Sequence, residues 1–365
     1  MKRLLCLISG MNAGGAETFL MKIYRKLDRQ KYQIDFCINV KDKCFYEDEI
    51  TSLGGKIYRI PSKSENVKQF KKQLTEIIKN GLYERVLRIT SSAMGFMDLK
   101  VAKKAGAKVC CARSSNSSDA EGLKAKICHR LGKLFYGKYV DVKIAPSDLA
   151  AIYTFGKKAY RRKAVNILRN GVDIEIFKFS QEGRIGVRNE FSVKDDEILL
   201  GHVGRFDEQK NHTFLIDVFN QLYRKDKRLK LLLVGKGKLE NLVKQKVESL
   251  GLADRVIFSG VRKDVPNVYS AMDLFVFPSL YEGMPNTVIE AQATGLRCVI
   301  SDTITKQANV GGIVEYVKLN DLSQWVSVVS NQIGKDREDT RKAFIENKYD
   351  IESVVKEFER IVFEQ

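Results

Sequence analysis

Two carboxylates, Glu282 and Glu290, lie in the stretch Phe277-Pro278-Ser279-Leu280-Tyr281-Glu282-Gly283-Met284-Pro285-Asn286-Thr287-Val288-Ile289-Glu290-Ala291. Pro285 and Gly295 punctuate a helix, Pro at its first position and Gly just past its end. Glu282 then falls in the loop before the helix and Glu290 one to two turns into it. The amides of Asn286, Thr287 and Val288 form its N-terminus, where an anion gains about 0.3–1 kcal/mol from the helix dipole. One carboxylate can take ribose hydroxyls and the other sugar hydroxyls. The plainer reading is a loop Glu and a Glu on a solvated face, but Ile289 and Ala291 flank Glu290 with apolar side chains. A second stretch, Gly204-Arg205-Phe206-Asp207-Glu208-Gln209-Lys210-Asn211, places two cations across a loop. Arg205 offers a bidentate fork and Lys210 a point charge, a pair suited to a diphosphate. Gly14-Gly15-Ala16-Glu17 opens a helix after a strand, as either an anion contact or an ordinary tight turn. Val234-Gly235-Lys236-Gly237 begins like a dinucleotide fingerprint but has Glu240 where the third glycine belongs.

Short apolar runs alternating with amphipathic stretches must position these residues. In the first half the strands are expected at 3–9, 32–39, 56–61, 85–90, 108–113 and 142–146, with helices at 15–27, 65–79 and 94–105. In the second they are expected at 197–203, 229–234, 255–259, 274–278 and 297–301, with helices at 211–224, 238–250 and 285–294. Such βα alternation predicts parallel sheets covered by helices on both faces. The glycines and mixed charges of 170–191 suggest a linker. The expected organisation is therefore two doubly wound α/β domains, 1–169 and 192–345, joined by 170–191, with a C-terminal helix in 346–365 packing back on the first domain. Ligands of such sheets bind at the carboxyl ends of the strands, and a cleft between the domains is the default site.

The chain has 365 residues, enough for two hydrophobic cores. Its 63 Lys and Arg against 45 acidic residues leave a net charge of +18, which calls for an anionic partner. No apolar run approaches the roughly 18 residues of a membrane span. Met1-Lys2-Arg3 before Leu4–Ile8 mimics a leader only faintly and reads as a first strand. Seven cysteines in mostly apolar runs fit buried thiols in a reducing cytoplasm, and Cys128-His129 lacks a second pair at zinc spacing. Basic clusters fall at 68–72, 124–143 and 157–163. In the middle one Leu123, Ile127, Leu131, Leu134 and Phe135 recur at helical spacing. This is either a helix lying on an anionic leaflet or one with its apolar face in the core.

Together, the stretches 14–17, 204–211 and 282–290, with Asn170-Gly171-Val172-Asp173 and Ser301-Asp302, resemble glycosyltransferase family 4, retaining enzymes of the GT-B fold. The resemblance spans nearly the whole chain and is nearest to the branch that builds bacterial capsule, exopolysaccharide or O-antigen. It implies a nucleotide-sugar donor, most often a UDP-sugar, a saccharide or lipid-linked acceptor, and no metal or other cofactor. The absence of any Asp-x-Asp in the chain agrees with the last point. It implies catalytic roles for Arg205, Lys210 and Glu282. Donor contacts are expected from Gly14, Gly15, Gly204, Gly235, Arg262, Gly283, Met284, Asn286, Thr287 and Glu290. The expected setting is cytoplasmic, with peripheral attachment to the inner leaflet and no nucleic acid. Where relatives carry a histidine motif, this chain has Cys111-Ala112-Arg113-Ser114-Ser115-Asn116, so Arg113, Ser115 and Asn116 are the candidates for contacts to the sugar or acceptor. His202 reads as a core residue, His212 as a capping or surface residue, and His129 as surface or core. Arg297 replaces the usual proline of a turn. The missing histidine keeps open a binding protein of the same fold without turnover; a nucleotide-sugar epimerase is the other alternative.

Overall fold

The computed structural model describes residues 1–12, 14–115 and 123–364. It contains two parallel sheets, each within its own compact unit. The first unit comprises Met1–Gly171 and Ile351–Gln365; the second is Val172–Asp350.

In the first unit the strands are β1 (Lys2–Leu7), β2 (Tyr32–Ile38), β3 (Ile57–Arg59), β4 (Arg85–Thr90), β5 (Val109–Ser114), β6 (Val142–Ala145) and β7 (Asn166–Ile167). Their order is β3-β2-β1-β4-β5-β6-β7, every pairing parallel. The helix Gly15–Lys26 buries Phe19, Leu20, Ile23 and Tyr24 against one face. The C-terminal helix, Ile351–Glu359, belongs to this same layer: Ile351, Val354, Val355 and Phe358 share a core with Leu4, Phe19 and Ile34. Beyond it the ring of Phe363 stacks on Tyr32 at 4.4 Å, and Lys2 Nζ donates to Phe363 O at 2.9 Å.

The second unit holds β8 (Ile198–Val203), β9 (Leu229–Val234), β10 (Val256–Gly260), β11 (Leu274–Phe277), β12 (Cys298–Ser301) and β13 (Val314–Val317). The order is β10-β9-β8-β11-β12-β13, again parallel throughout. Leu231, Leu233 and Val276 are buried on one side of the sheet and Leu232, Phe275 and Phe277 on the other. Strands covered on both faces read as continuous apolar runs for this reason.

The stretch expected as a linker holds a helix in its second half. Residues Gln181–Glu190 form a helix capped by Ser180, whose Oγ accepts from the Gly183 amide at 3.0 Å. Gly183 is there for contact rather than looseness: a Cβ at this position would sit 2.4 Å from Asn267 Oδ1 on the helix Val265–Ala271. Arg184 and Arg188 bind Asp273 at 2.6 and 3.2 Å and fix the helix to the second unit.

Candidate functional site

In the second unit the chain winds outward in one direction from β8 and in the other from β11, so these neighbours flank the switch point. Both sequence motifs leave from their carboxyl ends. After β8, the Asp207 carboxylate accepts the Lys210 amide at 3.2 Å and closes a short turn, Glu208–Lys210, before the helix His212–Lys225. After β11, the loop 278–285 folds against that turn. Leu280 N donates to Gln209 O at 2.8 Å, and Gln209 Nε2 donates to Tyr281 O at 2.8 Å. At the junction Lys210 Nζ lies 2.5 Å from Glu282 Oε1, with these side chains only 14% and 9% exposed. Ser279 Oγ lies 2.6 Å from the same carboxylate oxygen, and the ammonium sits 4.8 Å from the Phe277 ring centroid. An ammonium has three protons, so the ion pair with Glu282 does not exhaust its capacity for an incoming anion.

Arg205 is 78% exposed, 3.4 Å from Asp207, and so keeps its reach. Gly204 and Gly235 bring the ends of β8 and β9 into backbone contact. Gly235 has φ +140°, and a Cβ there would stand 2.1 Å from Gly204 O. Gly283 and Met284 lead to the helix Asn286–Ala293; Met284 is buried, with its Sδ 3.9 Å from Tyr349 Oη. Pro285 is the N-cap rather than the first helical residue, and no side chain caps the turn begun by Asn286 and Thr287. Glu290 is buried on that helix. The Tyr269 phenol is raised well above its ordinary value, by its burial first and by Glu290 second. Arg262 belongs to a different group. It pairs with Glu190, also through Nη2 at 2.8 Å, and with Asp264 at 2.7 Å, and lies over Phe191.

The histidines beneath this loop are core residues. His202 is fully buried, with Nδ1 3.0 Å from Val276 O. His212, expected near the surface, is buried as well, stacked on Phe206 at 4.1 Å between centroids. Its position at the start of a helix did not reveal that this first turn tucks beneath the loop. Burial, then the nearby Lys210, lowers the His212 pKa to about 4.

In the first unit, Gly14 is the N-cap of the helix that starts at Gly15, without a side-chain cap. The Arg113 side chain, at the end of β5, is enclosed rather than open. It is 2% exposed, its guanidinium lies 3.6 Å from the Phe19 ring centroid, and Nη2 donates to Asn170 Oδ1 at 2.5 Å. Among the described residues its Nε has no partner, and burial depresses its pKa to about 9. Ser115 is exposed, with its amide donating to Thr90 O at 3.0 Å. Asn116 lies outside the described residues. Of the residues singled out in the sequence, Lys210 and Glu282 meet directly, whereas Gly14, Gly15, Arg113 and Ser115 belong to the first unit. Ser279 and Gln209, which bind the Glu282 loop in place, lie inside the two motifs but carry no role in the sequence reading. Their signal was adjacency, since each is a polar residue within three positions of a named charge.

Comparison with known proteins gives the family and the fold. The family model described as glycosyl transferases group 1 matches residues 197–331. EpsF of Bacillus subtilis (strain 168), a glycosyltransferase by name, is 35% identical over 344 residues, covering 92% of this chain and 89% of that protein. The Escherichia coli UDP-Gal:alpha-D-GlcNAc-diphosphoundecaprenol alpha-1,3-galactosyltransferase is 31% identical over 175 residues, 45% of this chain and 44% of its own. The solved structure of Anabaena Alr3699/HepE in complex with UDP superposes with a TM-score of 0.80 over 100% of both chains at 18% identity. The same protein was also solved with UDP-glucose. The fold is thus that of the GT-B glycosyltransferases, two Rossmann-like parallel-sheet units. The chain itself belongs to the group 1 glycosyltransferases.

Proposed function

We propose that the protein transfers a hexose or N-acetylhexosamine from a UDP-sugar to a saccharide acceptor carried on a lipid, with retained anomeric configuration and no metal, in bacterial surface polysaccharide assembly on the cytoplasmic side. The observation that carries this reading is the Lys210–Glu282 pair at the switch point between β8 and β11. Glu290 holds the ribose hydroxyls from the helix Asn286–Ala293. Lys210 and the exposed Arg205 neutralise charge growing on the departing diphosphate, the electrostatic contribution that is usually largest. Two cations at that place perform the service a divalent ion performs elsewhere, and no Asp-x-Asp occurs in the chain to bind one. Gly14, Gly15 and the amides of 286–288 donate hydrogen bonds, and Glu282 orients the sugar. The bond from C1 to the phosphate oxygen breaks as the acceptor oxygen attacks from the same face, and a phosphate oxygen takes the acceptor's proton. The diphosphoundecaprenol acceptor named for the Escherichia coli relative supports the lipid-linked substrate.

The test is a nucleotide-sugar panel read by thermal shift and by slow hydrolysis, with and without EDTA. One UDP-sugar should stabilise the protein, and its hydrolysis should persist in EDTA. Arg205→Ala should lower kcat about 10²–10³-fold; an unchanged kcat removes the role given to Arg205. Stabilisation by no nucleotide at all overturns the reading.

A further inference from the structure

The helix Leu123–Tyr136 carries Lys124, Lys126, Arg130 and Lys133, and no acidic residue. Its inward face is polar and small. His129 is buried, with Nδ1 accepting the Ala93 amide at 3.1 Å, Nε2 3.1 Å from Tyr153 O and its ring stacked on Tyr153. Gly132 rests on the backbone of Ala93 and Met94. The outward face is apolar: Ile127 is 49% exposed, Leu131 43%, Leu134 75% and Phe135 56%. With 3.6 residues per turn these four occupy an arc of about 100°. Lys124 stands within that arc, Arg130 about 40° beyond one edge and Lys126 about 80° beyond the same edge, both exposed. A helix of a globular protein ordinarily turns such an arc toward the core, and this one turns it to solvent.

We infer that this face docks on an anionic lipid bilayer, with the helix lying in the plane of the interface. Leu134 and Phe135 enter the acyl boundary, while Lys124, Lys126 and Arg130 meet the headgroup phosphates. Charge selects this occupant over a second copy of the chain. Two such faces packed together would oppose cation to cation with no carboxylate on either helix. At 14 residues the helix is about 21 Å long, too short to cross a bilayer and long enough to lie on one. The inference does not depend on which sugar is transferred.

Co-sedimentation of the full chain with vesicles tests it. Mixed phosphatidylglycerol and phosphatidylcholine should retain the protein, pure phosphatidylcholine should retain far less, and high salt should release it. Leu134→Ser with Phe135→Ser, and separately Lys126→Glu with Arg130→Glu, should each lower the partition at least about tenfold. All four side chains face solvent, and an unchanged UDP-sugar thermal shift reports that the variants fold. In Phe135→Trp, emission should move to the blue on anionic vesicles. Equal binding to both vesicle types, no binding to either, or undiminished binding by both double variants overturns the inference. A lipid-free dimer dispersed by Leu134→Ser with Phe135→Ser assigns the face to self-association and overturns it too. Because vesicle binding and nucleotide-sugar turnover are read separately, failure of one leaves the other standing.

Discussion

Among the described residues Arg113 is a buried cation with no carboxylate beside it: its guanidinium meets a ring and an amide oxygen, and its Nε is unsatisfied. Replacing a buried ion pair by apolar side chains of similar volume is often neutral or stabilising, by about 1–4 kcal/mol, and Arg113 has no described opposite charge to lose. Arg113→Met is therefore expected to raise the thermal midpoint while lowering transfer to the acceptor. A loss of both would make Arg113 a structural post instead. The paired histidines predict a pH response. Burial holds the folded-state pKa of His212 at about 4, below its ordinary 6.5, and pushes that of His202 well below its ordinary value too. The unfolded chain then binds more protons than the folded one below about pH 6.5, so stability should fall as pH drops from there toward 4. At pH above 6.5 both states are neutral at these rings and the effect vanishes. The loss from His212 approaches about 3 kcal/mol at its limit. His212→Phe keeps the stack on Phe206, and thermal melts from pH 7 to pH 4.5 should show a shallower decline than for the unaltered chain. Residue types and spacing singled out Lys210 and Glu282, but not their partnership, which joins positions 72 apart. Nor did they tell that His212 is buried, because spacing near a helix start does not report what folds over it.

Among the elements, two glycines make opposite predictions. Gly235 has φ +140° and no room for a Cβ, so Gly235→Ala should cost upward of about 2 kcal/mol and weaken nucleotide binding, as denaturant titration with and without UDP would show. Gly186, inside the helix Gln181–Glu190, has nothing near its missing Cβ, and Gly186→Ala should stabilise by about 0.5–1 kcal/mol. Sequence could not separate these cases, which is how 170–191 came to resemble a linker. Eleven strands were legible, and the central ones among them, such as β9 and β11, because they are buried on both faces and apolar along most of their length. The pair β7 and β13 were not. The first is two residues long, and the second, Val-Glu-Tyr-Val after Gly311-Gly312, interleaves a charge with its apolar residues. For Leu123–Tyr136 the periodicity revealed an apolar arc but not its direction. That is set by His129 and Gly132, which need the shallow contact with Ala93 and Tyr153.

Over the whole molecule, the residues after 350 complete the first unit rather than the second. Ile351, Val354, Val355, Phe358, Ile361, Val362 and Phe363 are all buried there. At about 1.5–3 kcal/mol for each such side chain, their removal outweighs the usual stability of a domain. A chain ending at Asp350 should lose the cooperative melt of the first unit, with near-UV circular dichroism reporting the loss. The second unit should still be stabilised by UDP. This arrangement also orders the birth of the protein. The second unit, Val172–Asp350, is one uninterrupted stretch and can close while the ribosome is still adding residues. The first unit waits with an open core until the helix Ile351–Glu359 leaves the exit tunnel, so a stalled or clipped product can hold a folded second unit beside an unfinished first one.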